Sequence, residues 1–347
     1  VFNREIFMSV LSRFSLGLAA AATLVLAAPA VAQQTNIKFS LDFVLQGPQA
    51  PFFLADEKGY YKAEGLNLTA LDAGRGSADT IGRVASGVYE IGFGDLNALI
   101  EFNAKNPGKE IPAVMMVYDK APFAILSRKS KNITKPTDLM GKKAAAPSFD
   151  AGFRLFSLFA KTNGIDASKV EWSNVAPQLR EPMLARNETD AISAFSFTAV
   201  MALKGLGVPE NDIQVFMYSD HGLDLYSNAV IASPDLVKNN PKAVAGFVKA
   251  SIKAWQDTAK NPAAAIAALK KREPLINEAL ELERLQLALK GFVMTPDVSK
   301  NGMGGVDAAR LAKNIDLATE GFSLPRKLAP GDVFNATFLP PAAERKL

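Results

Sequence analysis

Between residues 37 and 97 the chain switches repeatedly between two spacings of apolar positions. Ile37 to Phe43 alternates apolar and polar residues at period two, which predicts a strand at the edge of a core. Gln46-Gly47-Pro48-Gln49 then supplies two turn-formers. Ala50 to Lys62 places Phe52, Phe53, Ala55 and Tyr60 on one helical face, and Gly59 and Gly65 punctuate its end. A second strand, Leu66 to Leu71, leads through Asp72-Ala73-Gly74-Arg75-Gly76-Ser77 to a helix with Ile81, Val84 and Ala85 facing inward. That helix stops at Gly87, and a third strand, Glu90 to Phe93, ends at Gly94-Asp95. The order strand, helix, strand, helix, strand puts polar or glycine residues just past each strand's carboxyl end. In open α/β sheets ligands bind at those ends, so these loops are expected to converge on one small molecule.

The pattern repeats farther along. Leu96 to Lys105 reads as a helix stopped by Asn106-Pro107-Gly108, and Ile111 to Val117 as a buried strand. Tyr118 to Pro122 interrupts that strand before Phe123 to Leu126 resumes, and we read the break as a first crossing between lobes. A second unit follows. It has strands at 143–146, 170–175, 190–195 and 214–218, and helices at 153–162, 179–186 and 197–203. Phe153 to Thr162 carries Leu155, Phe156 and Phe159 as a core stripe. Tyr226 to Ala232 is the expected return crossing. Helices at 241–259, 262–271, 276–290 and 306–319 come next, and the tail from Phe334 is expected to be loose at its end.

Two stretches of the first unit carry a resemblance. Phe52-Phe53-Leu54-Ala55 with Lys58-Gly59-Tyr60-Tyr61-Lys62-Ala63-Glu64-Gly65-Leu66, and Ser86-Gly87-Val88-Tyr89-Glu90-Ile91-Gly92-Phe93-Gly94, resemble the solute-binding proteins of ABC importers for alkylsulfonates, taurine, nitrate and thiamine-type pyrimidines. The resemblance implies an α/β fold of the type II periplasmic binding protein kind. Each lobe would be a mostly parallel sheet flanked by helices, joined by two interlobe crossings. The expected division is a signal peptide over 1–32, a discontinuous first lobe over 33–120 and 229–347, and a second lobe over 121–228. The resemblance also implies a ligand in the interlobe cleft, a permease partner at the inner membrane, and a monomer.

Composition narrows the classes. The chain has 347 residues, 48% of them hydrophobic, enough for two cores. Charged residues make up 21% and nearly balance, so no basic stripe marks a nucleic-acid surface, and no nucleic-acid partner is expected. Arg4 and Arg13 precede an apolar run from Leu16 to Ala28, and Ala30-Val31-Ala32 fits a signal-peptidase site before Gln33. The run is shorter than the roughly 20 residues that span a bilayer. Export to the periplasm with cleavage after Ala32 is the expectation. Cysteine is absent, which removes thiolate nucleophiles, disulfides and a lipid-anchoring cysteine.

An enzyme needs a nucleophile, a base or a metal. His221 is the one histidine, and beside Asp220 and Gly222 it reads as a turn residue. No Ca-loop spacing is present, and Gly74-Arg75-Gly76-Ser77 lacks the lysine and spacing of a P-loop, so no cofactor or metal is expected. A eukaryotic branch of the resembled family makes the thiamine pyrimidine by consuming its own histidine, and Gln49 stands at that position here. An exported pyrimidine-synthesis enzyme and a ligand-sensing receptor subunit remain the alternatives to transport.

Loop position selects the candidate ligand residues. In the first unit they are Asp42, Phe43, Gln46 and Gln49, then Arg75 and Ser77, then Asp95 and Asn97. In the second they are Ser148, Phe149 and Asp150, then Gln178, then Ser193 and Phe195, with Tyr118 and Tyr226 near the hinge. Ser77 and Ser148 sit at helix starts, where backbone amides offer donors. Arg75 offers a bidentate partner to an anion. Phe43, Phe149 and Phe195 offer stacking faces for a planar ligand, whereas a sulfonate would use the polar groups; the two chemistries stay open.

Overall fold

The computed structural model describes residues 34–347; the export signal read over residues 1–32 lies outside them. The chain forms two five-stranded sheets with helices on both faces. The first sheet collects β1 (Thr35–Ser40), β2 (Leu66–Asp72), β3 (Ile91–Asp95) and β4 (Ala113–Met116), and receives β10 (Asn228–Ala232), in the order β2-β1-β3-β10-β4. The second collects β5 (Phe123–Arg128), β6 (Lys143–Ala146), β7 (Glu171–Asn174), β8 (Ala191–Phe195) and β9 (Ile213–Met217), in the order β7-β6-β8-β5-β9. Both are mixed. In each, one strand runs against its two neighbours: β10 against β3 and β4, and β5 against β8 and β9. These are the strands that begin each sheet anew after the chain has crossed.

The crossings lie side by side. The Tyr118 amide donates to the Asn228 carbonyl (2.9 Å), the Ser227 amide to the Tyr118 carbonyl (3.0 Å) and the Ala121 amide to the Leu225 carbonyl (2.8 Å). Two antiparallel connections therefore hold the sheets together as a hydrogen-bonded ribbon. Such a pair can bend at a few dihedrals without breaking either core.

Helices follow the strands in chain order: α1 (Ala50–Glu57), α2 (Tyr60–Ala63), α3 (Ser77–Ala85), α4 (Leu96–Lys105), α5 (Ala151–Arg154), α6 (Phe156–Thr162), α7 (Pro177–Ala185) and α8 (Ser196–Gly205). The helix expected over 50–62 is broken into two at Gly59, whose φ of 69° only glycine adopts freely. The strand expected over 37–43 ends at Ser40, because Asp42 and Phe43 turn into the loop that faces the second sheet. After β10 come α9 (Pro234–Asn239), α10 (Pro241–Lys260), α11 (Pro262–Arg272), α12 (Glu278–Ala288), α13 (Pro296–Asn301) and α14 (Ala308–Gly321). The sequence reading omitted α9 and α13, each barely longer than a turn. Ser233 and Thr295 cap them, each with proline at the first position.

Aromatic side chains fill the first core. Phe39 meets Phe52 and Phe247 edge to face, both at 5.0 Å between centroids, and Trp255 closes on Phe52 at 6.0 Å. Helices α10, α11 and α12 cover that face, while α3, α4 and α14 cover the other. Helices α12 and α14 also reach the second sheet's helices: Arg284 donates to the Thr198 carbonyl at 2.9 Å, and Lys161 pairs with Glu320 at 2.5 Å. The C-terminal tail is docked, contrary to expectation. Arg345 is buried and donates to the Pro340 carbonyl at 2.8 Å, and the Met303 amide donates to the Arg345 carbonyl at 2.8 Å. Among the described residues no helix is long and apolar enough to cross a membrane.

Candidate binding cleft

Six strand ends point at one cavity. The loops after β1, β2 and β3 meet those after β6, β7 and β8 around about 740 Å³ of space, open mouth included. That is the size range of small-molecule sites.

The floor is built by the loop after β1. Its turn at Gly47-Pro48-Gln49 is fixed from outside, since the Gly47 amide donates to Glu281 Oε2 at 2.6 Å; a Cβ on Gly47 would lie 2.1 Å from the Glu281 carbonyl oxygen. The turn brings Gln49 back onto Asp42. Gln49 Nε2 donates to Asp42 Oδ1 (2.8 Å), and Asn228 Nδ2 donates to Asp42 Oδ2 (2.7 Å). Asp95 caps α4, accepting from the Asn97 and Ala98 amides, both at 3.0 Å, and from Ser227 Oγ at 2.8 Å. Ser227 Oγ lies 3.2 Å from Asn228 Oδ1, so the return crossing sets neighbouring donors, Ser227 and Asn228, against the two carboxylates.

Burial pushes Asp42 and Asp95 up to about 6, against the pull of these donors. Between about pH 4 and 6 the folded chain holds protons at both sites that the unfolded chain has released. Their contribution to stability is therefore greatest at low pH and is lost as pH rises through that window. Asp42→Asn carries no such proton, and its stability relative to the wild type should rise from about pH 4 to about pH 7. Urea unfolding across the window checks this; parallel curves for the two proteins would refute it.

The opposite wall comes from the second sheet. Asp150 caps α5, with Oδ1 accepting from the Phe153 amide and from Ser193 Oγ, both at 2.8 Å. Its Oδ2 faces Arg180 Nη1 at 3.6 Å, and Arg180 also donates from Nε (3.0 Å) and Nη2 (2.6 Å) to Glu181 Oε1. Burial raises the Asp150 carboxyl, and Arg180 pulls it back. Behind these lies an aromatic wall. Tyr118 contacts Phe195 and Phe197 edge to face at 6.4 and 5.9 Å, and Phe195 meets Phe197 at 5.8 Å. Burial and the nearby Asp42 charge drive the Tyr118 hydroxyl well above its ordinary value, so it stays protonated.

The walls touch at Gly76 and Phe149. Gly74 leaves no room for a side chain, because a Cβ there would lie 2.1 Å from the Leu41 carbonyl oxygen. At Gly76, with φ of 123°, a Cβ would meet the Phe149 ring at 3.0 Å. Phe149 thus lies across the mouth, 42% exposed. Arg154 on α5 also pairs with Glu101 on α4 through both oxygens, a second link between the walls.

The cavity brings together Asp42, Phe43, Gln46, Gln49, Ser77, Asp95, Tyr118, Phe149, Asp150 and Phe195. The other candidates lie elsewhere. Arg75 is 81% exposed at its side chain and pairs with Asp79 at 3.2 Å, since the loop tip turns outward. Asn97 is buried as scaffold, donating to the Tyr226 carbonyl (2.9 Å) and accepting from Asn314 (2.7 Å). Ser148 is exposed; its amide is taken by Asn174 Oδ1 at 2.8 Å. Ser193 sits behind Asp150 as its donor. Gln178 faces a neighbouring hollow. Tyr226 lies under Arg310, 4.1 Å from ring centroid to guanidinium, beside a separate depression. Arg180, Phe197 and Thr198 line the cavity without having been singled out. For Arg180 the available signal was the adjacent opposite charges Arg180-Glu181, three and four residues after Pro177, early in a helix that begins at a strand end.

Two α/β lobes closed over a ligand-sized cleft at their strand ends define a periplasmic binding protein fold, type II. The family model described as NMT1/THI5 like matches residues 47–265, and the chain belongs to that family. It is 24% identical over 241 residues to the riboflavin-binding protein RibY of Chloroflexus aurantiacus, covering 68% of this chain and 67% of that protein. It is 20% identical over 296 residues to 4-amino-5-hydroxymethyl-2-methylpyrimidine phosphate synthase of Legionella pneumophila, covering 84% and 90%. Among solved structures, the periplasmic aliphatic sulphonate binding protein SsuA of Escherichia coli superposes with a TM-score of 0.68 at 15% identity, covering 88% of this chain and 94% of that one. The ligand binding component of an ABC-type import system from Staphylococcus aureus also superposes, with a TM-score of 0.64 at 12% identity, covering 88% of this chain and 98% of that one.

Proposed function

We propose that this chain captures a small planar organic solute bearing hydrogen-bond donors, heteroaromatic in type, and delivers it to the permease of an ABC importer. One observation carries the reading: three of the four charged side chains lining the cleft are carboxylates. Asp42, Asp95 and Asp150 face it, and the one cation among its lining residues, Arg180, is already engaged by Asp150 and Glu181. Carboxylates accept hydrogen bonds and repel anions, so a sulfonate or nitrate would enter a net negative site. Phe149, Phe195 and Phe197 supply apolar faces that suit a flat ring. The binding role of RibY, named for a flavin, points the same way.

The reading includes lobes at 33–120 with 229–347 and at 121–228, export to the periplasm, and action as a monomer. Capture rather than chemistry is supported by Gln49 at the position of the consumed histidine. The sole histidine, His221, packs against Phe159 and Phe216 at 5.8 and 6.0 Å, away from the cleft. The test is mass spectrometry of solute released by denaturing protein purified from its own host, with thermal shifts against heteroaromatics, alkylsulfonates and nitrate. A nitrogen heterocycle in the released fraction is expected. Stabilisation by sulfonate or nitrate alone, or turnover of the released compound, would overturn the proposal.

A further inference from the structure

Beyond Arg180 the cleft has a second compartment. An outer hollow of about 860 Å³, open mouth included, lies between α7 and α8 of the second lobe and the β1 loop and α12 of the first. Phe43, Gln46, Pro177, Arg180 and Thr198 line both spaces, so the two adjoin along these five residues. Their chemistry differs. The inner space presents carboxylates, whereas the outer one is mainly apolar, walled by Val44, Pro182, Ala202, Leu206 and Leu280. Its polar Glu181 is already engaged by Arg180. Val44 and Leu206 stand 42% and 50% exposed there. Apolar side chains left in water along the extension of a binding cavity are a mark of contact with another molecule.

We infer that the solute is elongated: its planar, donor-bearing head occupies the inner cleft, and an uncharged apolar arm passes Arg180 into the outer hollow. Val44 and Leu280 belong to one lobe and Pro182 and Leu206 to the other, so the arm is gripped from both sides and helps hold the lobes together. Continuity with the inner cleft selects the arm of the same solute as the occupant. The inference rests on the donor-seeking cleft of the proposed function, and its test separates the two.

The probes are benzamidine, a planar cation with N–H donors, and its 4-ethyl, 4-butyl and 4-hexyl derivatives, measured by titration calorimetry. Affinity should rise roughly two- to fourfold per methylene, about 0.8 kcal/mol being the limit for full burial. In Leu206→Asp the hexyl-to-parent ratio should fall to about one, and in Leu206→Ala it should be intermediate, with thermal melts confirming folded protein. Leu275→Asp, at a site 92% exposed and outside both hollows, should keep the wild-type ratio. A flat series in the wild type, or a ratio that survives Leu206→Asp, leaves the outer hollow to a protein partner and overturns the inference while sparing the cleft. Loss of the ratio in Leu275→Asp would mean non-specific adsorption and also overturn it. If no member of the series binds, the donor-seeking cleft itself fails.

Discussion

Arg180→Ala should cost about 3–5 kcal/mol of folding stability, the range for removing one partner of a buried ion pair. Arg180 is 5% exposed and Glu181 6%, and Asp150 stands at the guanidinium's other edge. Deleting the cation strands two carboxylates in a wall that water reaches poorly. The loss should shrink as pH falls, because burial raises the Asp150 carboxyl and protonating it in the folded state removes a stranded charge. Asp150 is already raised by burial with Arg180 present. The variant Arg180→Ala with Asp150→Asn and Glu181→Gln should recover most of the deficit at about pH 7, since no charge then remains unpaired. Urea denaturation of the single and triple variants at two pH values measures both effects. A single-variant loss below about 1 kcal/mol, the size typical of an exposed pair, would show that the cluster is solvated.

That cluster marks where the sequence was legible and where it was not. Strand ends can be read because period-two apolar runs stop at polar or glycine residues, and the fold rule then places ligands there. Asp42, Ser77, Asp95 and Phe149 follow from that rule alone. Which way a loop residue points is a tertiary matter. Arg75 and Ser77 are two residues apart, yet the outward turn at Gly76 sends one to solvent and the other to the cavity. Asn97 and Ser193 were correctly placed near strand ends, but hydrogen bonding to Tyr226, Asn314 and Asp150 turns them into supports for the residues that do face the cleft. Arg180 was hidden for the opposite reason. A charged residue in a helix reads as solvated surface, and only the approach of Asp150 from another loop gives it a buried partner. The docked tail was invisible on the same ground, because Arg345 finds its acceptors on carbonyls about forty residues upstream, Gly302 and Met303.

Phe149→Ala should weaken solute binding far more than Ser77→Ala, and the difference tests whether the two lobes share one ligand. The Phe149 ring is 42% exposed and spans the mouth from the second lobe to Gly76 of the first. A bound solute would take up much of that exposed area. Removing a large apolar contact that becomes desolvated costs on the order of 2 to 3 kcal/mol, or roughly 30- to 150-fold in Kd. Ser77 lies at the start of α3 and lines the cavity. Deleting one neutral hydrogen bond costs typically ~0.5 to 1.5 kcal/mol, or about two- to twelvefold. Gly76→Ala adds a third point: its Cβ would press on the ring at 3.0 Å and its φ of 123° disfavours any side chain, so it should weaken binding by displacing Phe149. In Phe149→Ala the Gly76→Ala change should then lose most of its further effect, because the ring it displaces is gone. Titration calorimetry with the solute released from the wild-type protein, and thermal melts as the folding control, give all four affinities. Full affinity in both Phe149→Ala and Ser77→Ala would place the solute outside this cleft, whereas additive losses from Phe149→Ala and Gly76→Ala would mean that the glycine acts on the first-lobe loop and not through the ring.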